Sequence, residues 1–487
     1  MAERLFSLSE LCGDLGHCLR DAQVTDIVTD SRAVLPGSLF VAVPGHARKG
    51  AHFVADALAR GASAILADEP LESPDHIGLV VVSDVRAALG IVAMRFFGTD
   101  KHELRTIAVT GTNGKTSTVR LIAQLLEALD QAAATVGTLG FQLPDSLRAT
   151  KNTTPDVVET HRFLASAIAH KVRWAALEAS SHGLVQNRLA GLNVTTAAIT
   201  NITQDHLDYH GTMEEYVAAK AKILNLPGLC NVVLDLDNPA VRALRKQVPL
   251  NVQVLGFSLD GATEADVQVS ALYHAMCTEA TLRLRGREYQ LELPLVGEFY
   301  LRNTLSAMLM LWAEGLPFED LVAAAERLQG VVGRLQRVEQ DSDVAVYVDY
   351  AHTPDAITRV LQVLRPTVKN DLWVVFGCGG DRDKAKRPLM GQAAAAGADW
   401  VVLTSDNPRS EAASEILKDI QAGCSKARLV IEDRAVAIET AILMALPGDT
   451  LVIAGKGHEI EQIIGDVAYP FSDVDVAQAA LAMRKCA

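Results

Sequence analysis

Short apolar runs alternate with amphipathic stretches along most of the chain. Near the N-terminus the runs are Ser38–Val43, Ala64–Ala67 and Leu79–Val82. In the middle they open "TIAVTGTNGKT", "WAALEASSHG" and "TAAITNITQDHLDYHG", and farther on "LWVVFGCGGDRDK", "WVVLTSDNPR" and "LVIAGKGHE". Continuous apolar strands separated by helical stretches predict parallel sheets covered on both faces, an α/β fold class. In such sheets ligands bind beyond the carboxyl ends of the strands. The middle and last groups of runs therefore each predict one polar rim, and neighbouring rims predict a cleft. "GTDKHELRT", residues 98 to 106, breaks the pattern and reads as a linker, and "GVVGRLQRVEQ" opens the last region. The expected domains are 1–97, 98–331 and 332–487.

A chain of 487 residues is too long for one ordinary core, which agrees with several domains. Its formal charge of −14 argues against nucleic acid or an anionic membrane as the main ligand. The first twenty residues lack the basic start and apolar core of a signal peptide, and no run of 18 apolar residues predicts a membrane span. The 7 cysteines are scattered without CxxC spacing and read as reduced, buried thiols of a cytoplasmic protein.

The most informative stretch is "RTIAVTGTNGKTSTVRLIAQLL". Ile107–Val109 reads as a strand, and Val119, Ile122, Leu126 and Leu129 recur at helical spacing. Between them lie Gly111, Thr112, Asn113, Gly114, Lys115, Thr116 and Ser117. The glycines permit backbone shapes that a Cβ obstructs. Loop amides and the helix N-terminus attract an anion, Lys115 offers charge to outer phosphates, and the Thr116 hydroxyl suits Mg²⁺. The spacing is shorter than the standard Walker pattern, because Val109 stands where its first glycine would be.

Glu178 and His206 follow predicted strands, and a carboxylate near phosphates suits Mg²⁺, which prefers oxygen ligands. His182, His206 and His210 read individually as ordinary loop histidines; position at a strand end singles out His206. Lys220, in "MEEYVAAKAKIL", reads from the residues alone as a solvated helix lysine, since an ammonium does not bind a cation.

These motifs, with "NTTP" (152–155), "NITQDHLDYHG", "EFYLRNTLSA", "GRLQR" and "DYAHTPDA", stand in the order found in the Mur ligases, which the whole chain resembles. The resemblance implies three domains: a smaller N-terminal α/β domain for a uridine nucleotide, a central P-loop ATPase-like parallel sheet, and a C-terminal Rossmann-like domain. It implies a cytoplasmic monomer with ATP as co-substrate and Mg²⁺ as cofactor. ATP would phosphorylate the D-glutamate γ-carboxylate of UDP-N-acetylmuramoyl-L-alanyl-D-glutamate, and an amino-acid amine would attack the acyl phosphate. Lys115, Glu178, His206 and Lys220 match catalytic positions. Thr116, Glu178, His206 and Lys220, the last as a CO₂-derived carbamate, match the metal site. The Gly111–Ser117 loop with Asn303, Arg334 and Asp349 matches the ATP site, with His352 a weaker candidate near adenine. Ser31, His46, Ala47 and Arg48 match uridine contacts, and Asn152, Thr153, Thr154, Ser180, Gln186 and Arg188 match contacts to the muramoyl peptide. From the residues alone, Thr153-Thr154-Pro155 reads as a turn.

"SDNPR" marks family members that add meso-2,6-diaminopimelate. Asp406, Asn407, Pro408, Arg409, Arg382, Gly455 and Glu459 match amino-acid contacts. The planar fork of Arg409 suits a carboxylate that lysine lacks; considered alone, it could end a surface turn. The alternatives are a lysine-adding Mur ligase, a folylpolyglutamate synthetase-like ligase, a P-loop regulatory or motor ATPase, and a nucleotide-binding module without chemistry.

Overall fold

The computed structural model describes residues 5–44, 50–100, 104–274, 277–338 and 342–486. It has a three-domain α/β architecture built on three principal sheets. The N-terminal sheet places Gly78–Val82, Ala64–Ala67, Ser38–Val41 and Asp26–Val28 side by side in parallel. Gly16–Arg20 adds an antiparallel edge. The run expected to reach Val43 ends as a strand at Val41.

The central sheet has 11 strands among the described residues. Arg105–Thr110 lies in its middle, between Trp174–Glu178 and Val194–Ile199, all parallel. Every residue of Trp174–Glu178 is buried, as a strand covered on both faces requires. Helix Lys115–Ala128 buries Val119, Ile122 and Leu126 as the spacing predicted, and Leu129 is its C-cap rather than its last turn. The far edge departs from a purely parallel reading. Val267–Tyr273, Thr278–Leu284 and Arg287–Leu293 form an antiparallel meander. Their buried and exposed positions alternate, because one face is open to water.

The C-terminal sheet has 6 strands among the described residues. Ala345–Asp349, Thr450–Ala454, Leu372–Phe376, Trp400–Leu403 and Ala427–Val430 run parallel in that spatial order. The hairpin Glu461–Ile464 and Val467–Pro470 follows "GKGHE".

The N-terminal domain sits tightly on the central one. A Cβ on Gly90 would collide with Ala190. Arg86 donates to the carbonyls of Pro44 and Gln186, and Arg162 pairs with Asp26 at 2.8 Å. No helix among the described residues is long and apolar enough to cross a membrane.

Candidate active site

The phosphate loop joins strand Arg105–Thr110 to helix Lys115–Ala128. Gly114 has φ 91°, and a Cβ there would meet the Asn303 side chain. The Asn113 amide donates to Asn201 Oδ1 at 3.0 Å, and Thr200 Oγ1 donates to the Asn113 carbonyl at 2.6 Å. Lys115 Nζ donates to the carbonyls of Gly111 (2.8 Å) and Thr112 (2.9 Å). Burial holds its ammonium below the usual lysine range, against the pull of Glu178 and Asp205.

Glu178, at the end of its strand, is buried. Its Oε1 accepts from the Thr138 amide at 2.8 Å, and its Oε2 from Thr116 Oγ1 at 2.9 Å and Thr138 Oγ1 at 3.1 Å. Burial raises its carboxyl above the usual range, with Lys115 opposing. An oxygen-only set beside a phosphate loop suits Mg²⁺.

Lys220 overturns the solvated-lysine reading. It is 1% exposed, because helix Met213–Ala221 turns Tyr216, Ala219 and Lys220 inward. Its Nζ donates to the Gly111 carbonyl at 2.7 Å and lies 4.6 Å from the Tyr216 ring centroid. Burial, then the charge of Lys115, pushes its amine well below the ordinary value. His206 lies by the same cluster: its Nε2 is 3.4 Å from Asp205 Oδ2, its ring abuts His182, and burial, opposed by Asp205 and reinforced by the charges of Lys115 and Lys220, lowers its imidazole to about 4. Among the described residues no three His, Cys, Asp or Glu side chains gather where they could hold a metal ion. The structure thus joins Thr116 to Glu178, links Lys220 to the loop through Gly111, and pairs His206 with Asp205.

A cleft opens beside the loop, lined by Asn113, Gly114, Ser117, Asn303, Arg334, Asp349 and His352, among others. Arg334, in the segment between the central and C-terminal domains, donates to Thr116 Oγ1 at 3.2 Å and stacks 4.4 Å from the Tyr350 ring centroid. Its Nε is buried without a partner among the described residues. Asp349 accepts the amides of Leu335 (2.6 Å) and Ala351 (2.7 Å). Burial raises its carboxyl, and Arg334 opposes. His352 Nδ1 lies 2.8 Å from the Tyr350 carbonyl.

Toward the N-terminal domain, Thr154 is a buried hub rather than only a turn residue. Its hydroxyl donates to the Glu178 carbonyl at 2.8 Å, contacts Ser180 Oγ at 3.0 Å and accepts the Ser180 amide. Ser180 caps helix Ser181–Val185. Arg188 donates to the Thr154 carbonyl and to Gln186 Oε1, and Gln186 reaches the Tyr209 hydroxyl. Thr153 accepts from Thr138, and Asn152 is exposed. Ser31 is buried and donates to Asp56 at 2.7 Å. His46, Ala47 and Arg48 lie outside the described residues.

Asp406, Asn407 and Pro408 follow strand Trp400–Leu403 and are buried, whereas Arg409 is partly exposed. Arg409 takes the left-handed conformation (φ 52°) and donates Nη1 to the Gly380 carbonyl at 2.8 Å. Gly455 has φ 116°, and a Cβ there would stand 2.5 Å from Asp406 Oδ2. Asn407 Nδ2 donates to Glu459 Oε2 at 2.8 Å. Arg382 is exposed and donates to the Asp381 carbonyl. The two ends of the crevice are linked: Thr116 to Arg334, Arg334 to Tyr350, and Tyr350 to His458, whose ring centroids lie 5.2 Å apart.

Sequence reasoning missed two buried cations behind this pocket. Lys456 lay within a quoted motif but carried no assigned role. Arg434 had no local signal at all, since its partners come from three distant segments.

Three family models match the chain: the Mur ligase middle domain over residues 109–311, the Mur ligase glutamate ligase domain over 333–457, and the Mur ligase family catalytic domain over 23–96. The UDP-N-acetylmuramoyl-L-alanyl-D-glutamate–2,6-diaminopimelate ligase of Synechococcus elongatus is 41% identical over 484 residues, covering 97% of this chain and 96% of that one. The enzyme of the same name from Pseudomonas aeruginosa is 42% identical, covering 95% and 96%. A solved structure of a UDP-N-acetylmuramoyl-L-alanyl-D-glutamate–2,6-diaminopimelate ligase superposes with a TM-score of 0.69 at 38% identity, covering 95% of each chain.

Proposed function

The chain belongs to the Mur ligase family, and from that premise we propose how its crevice works. It is an ATP-dependent acid–amino-acid ligase of peptidoglycan precursor synthesis. It joins meso-2,6-diaminopimelate to UDP-N-acetylmuramoyl-L-alanyl-D-glutamate.

A carboxylate resists amines at neutral pH because its oxygen leaves poorly. Phosphorylation by ATP creates a good leaving group, and the amine then displaces phosphate. Phosphoryl transfer demands positioning and charge neutralisation above all. Lys115 leaves its loop carbonyls for the phosphates, and the unpartnered Nε of Arg334 waits at the nucleotide cavity. Thr154 and Arg188 hold the peptide end against the strand that carries Glu178. Arg409 and Glu459 receive the carboxylate and ammonium at the far end of the amino acid.

Mg²⁺ would be held by Glu178 and Thr116 and would neutralise phosphate charge. Burial lowers the Lys220 amine and so favours the neutral form that combines with CO₂, which makes Lys220 our candidate for a carbamate that completes this oxygen set. The enzyme acts as a cytoplasmic monomer in this reading.

The observation that carries the proposal is the run of contacts Thr116–Arg334–Tyr350–His458, which joins the phosphate loop to the amino-acid pocket. The test is turnover with ATP, Mg²⁺, the UDP-muramoyl dipeptide and diaminopimelate. ADP, phosphate and amide are expected in equal amounts. ATP hydrolysis without amide would favour a regulatory ATPase, and equal kcat/KM for lysine would favour the lysine-adding activity.

A further inference from the structure

Lys456 is one of the largest side chains fully buried in the protein. Its Nζ donates to Glu459 Oε2 at 2.7 Å and to Asn407 Oδ1 at 3.0 Å. Asn407 Nδ2 donates to the same Glu459 oxygen, and the Ile463 amide donates to Asn407 Oδ1 at 2.9 Å. The triangle fixes the orientation of the Asn407 amide, since a flipped amide would set two donors, Nδ2 and Nζ, against each other. It also holds the Glu459 side chain by one oxygen. Glu459 Oε1 takes no hydrogen bond among the described residues.

We infer that Lys456 is the positioning residue that sets the amino-acid pocket to accept a zwitterionic end and to reject a bare ammonium. The inference rests on the reading above, that this pocket receives the far end of diaminopimelate. Lys456 neutralises the Glu459 carboxylate, while Arg409 donates to a backbone carbonyl and keeps its charge for a guest carboxylate. A lysine side chain brings only the ammonium, and it meets a Glu459 whose charge is already partnered. Without Lys456, Glu459 loses its cationic partner and offers its full charge to a lone ammonium. Lys456 thus works through Glu459 and Asn407, while Arg409 faces the substrate carboxylate.

The test compares Lys456→Met and Lys456→Gln with the unaltered enzyme, using diaminopimelate and L-lysine as competing acceptors. Hydroxylamine trapping of the acyl phosphate, a step that does not use the amino-acid pocket, is measured in parallel. In Lys456→Met the KM for diaminopimelate is expected to rise about 10- to 100-fold, the range of a lost charged hydrogen bond. The kcat/KM preference for diaminopimelate over lysine is expected to fall about tenfold or more. Hydroxamate formation and the KM for ATP stay unchanged, which a general loss of structure would not allow. Lys456→Gln keeps a donor but no charge, so it loses preference with a smaller rise in KM, and it serves if the Met variant does not fold. Both variants retaining the full preference would overturn the inference. An unaltered enzyme that preferred lysine would instead overturn the proposed function.

Discussion

Arg434 and Asp473 form an ion pair with 0% exposure on both side chains. Arg434 Nε donates to Asp473 Oδ1 at 2.7 Å and Nη2 to Oδ2 at 2.8 Å. The remaining donors reach the carbonyls of Ser405 (3.1 Å) and Ala454 (3.0 Å). Those residues directly precede Asp406 and Gly455, so one guanidinium fixes the spacing of the two strand ends that carry the amino-acid pocket. Asp473→Asn leaves the guanidinium buried with its two carbonyls but no counter-charge. Breaking a buried pair costs about 3–5 kcal/mol, and the retained carbonyls put this variant near about 3. Arg434→Met/Asp473→Leu removes the charge problem and leaves two carbonyls without donors, each costing about 1–3 kcal/mol. The double variant is therefore expected to be less destabilised than the summed losses of its own singles, Arg434→Met and Asp473→Leu, with a coupling of about 2–3 kcal/mol. Urea unfolding followed by tryptophan fluorescence reads this, because Trp373 and Trp400 stack within the C-terminal sheet. The surviving fraction of Asp473→Asn should also show a raised KM for diaminopimelate. A loss under about 1 kcal/mol, or additive single and double effects, would refute the strut.

Gly455→Ala should raise the KM for diaminopimelate at least about tenfold with the KM for ATP unmoved, since a Cβ at φ 116° would press on Asp406 Oδ2; steady-state kinetics for both substrates check this. Arg409→Lys keeps the charge but not the planar fork, and it should weaken discrimination between diaminopimelate and lysine by about tenfold, on the order of one lost charged hydrogen bond; competition assays measure the ratio. Lys220→Ala should remove most activity without rescue by bicarbonate, and near-normal turnover would exclude a carbamate role. His161 is fully buried between Thr99 Oγ1 (2.7 Å) and the Ala190 carbonyl (3.0 Å), and burial pushes its pKa down to about 4. The unfolded chain takes up that proton from about pH 6.5 downward, so stability is complete above pH 6.5 and falls by up to about 3 kcal/mol as pH drops to 4. His161→Gln should flatten that dependence in urea unfolding at pH 7 and pH 4.5.

What the sequence revealed was what is local in the chain. The strand, glycine-lysine turn and helix of residues 105–128 declare themselves because each depends on near neighbours. The edge meander escaped because its one-sided alternation was weaker than the continuous apolar runs used to find strands. Lys220 was misread as solvated because helical period alone does not say which face meets the phosphate loop; the Gly111 carbonyl that receives it is 109 residues away. Arg434 was invisible for the same reason, since its role exists only after two strand ends and a C-terminal helix converge.

The cations in the crevice differ in their partners, and the difference follows the charge of what each must receive. At the phosphate end Lys115 bonds only to carbonyls, and Arg334 bonds to a hydroxyl and lies on a ring face. Among the described residues neither forms a hydrogen bond to a carboxylate, unlike Arg302 and Arg359 on the same cleft, which hold Asp235, Asp237, Glu298 and Asp355, so a polyphosphate arriving at Lys115 and Arg334 displaces dipoles rather than competing with a bound anion. At the amino-acid end Lys456 already holds a carboxylate, whereas Arg409 holds only a carbonyl. One cation there balances the protein's own acid and the other is left for the substrate's. In the proposed reading an acidic chain of net charge −14 thus binds a highly anionic nucleotide and a zwitterion in one crevice, because what matters locally is which cations have been left without a hydrogen-bonded carboxylate.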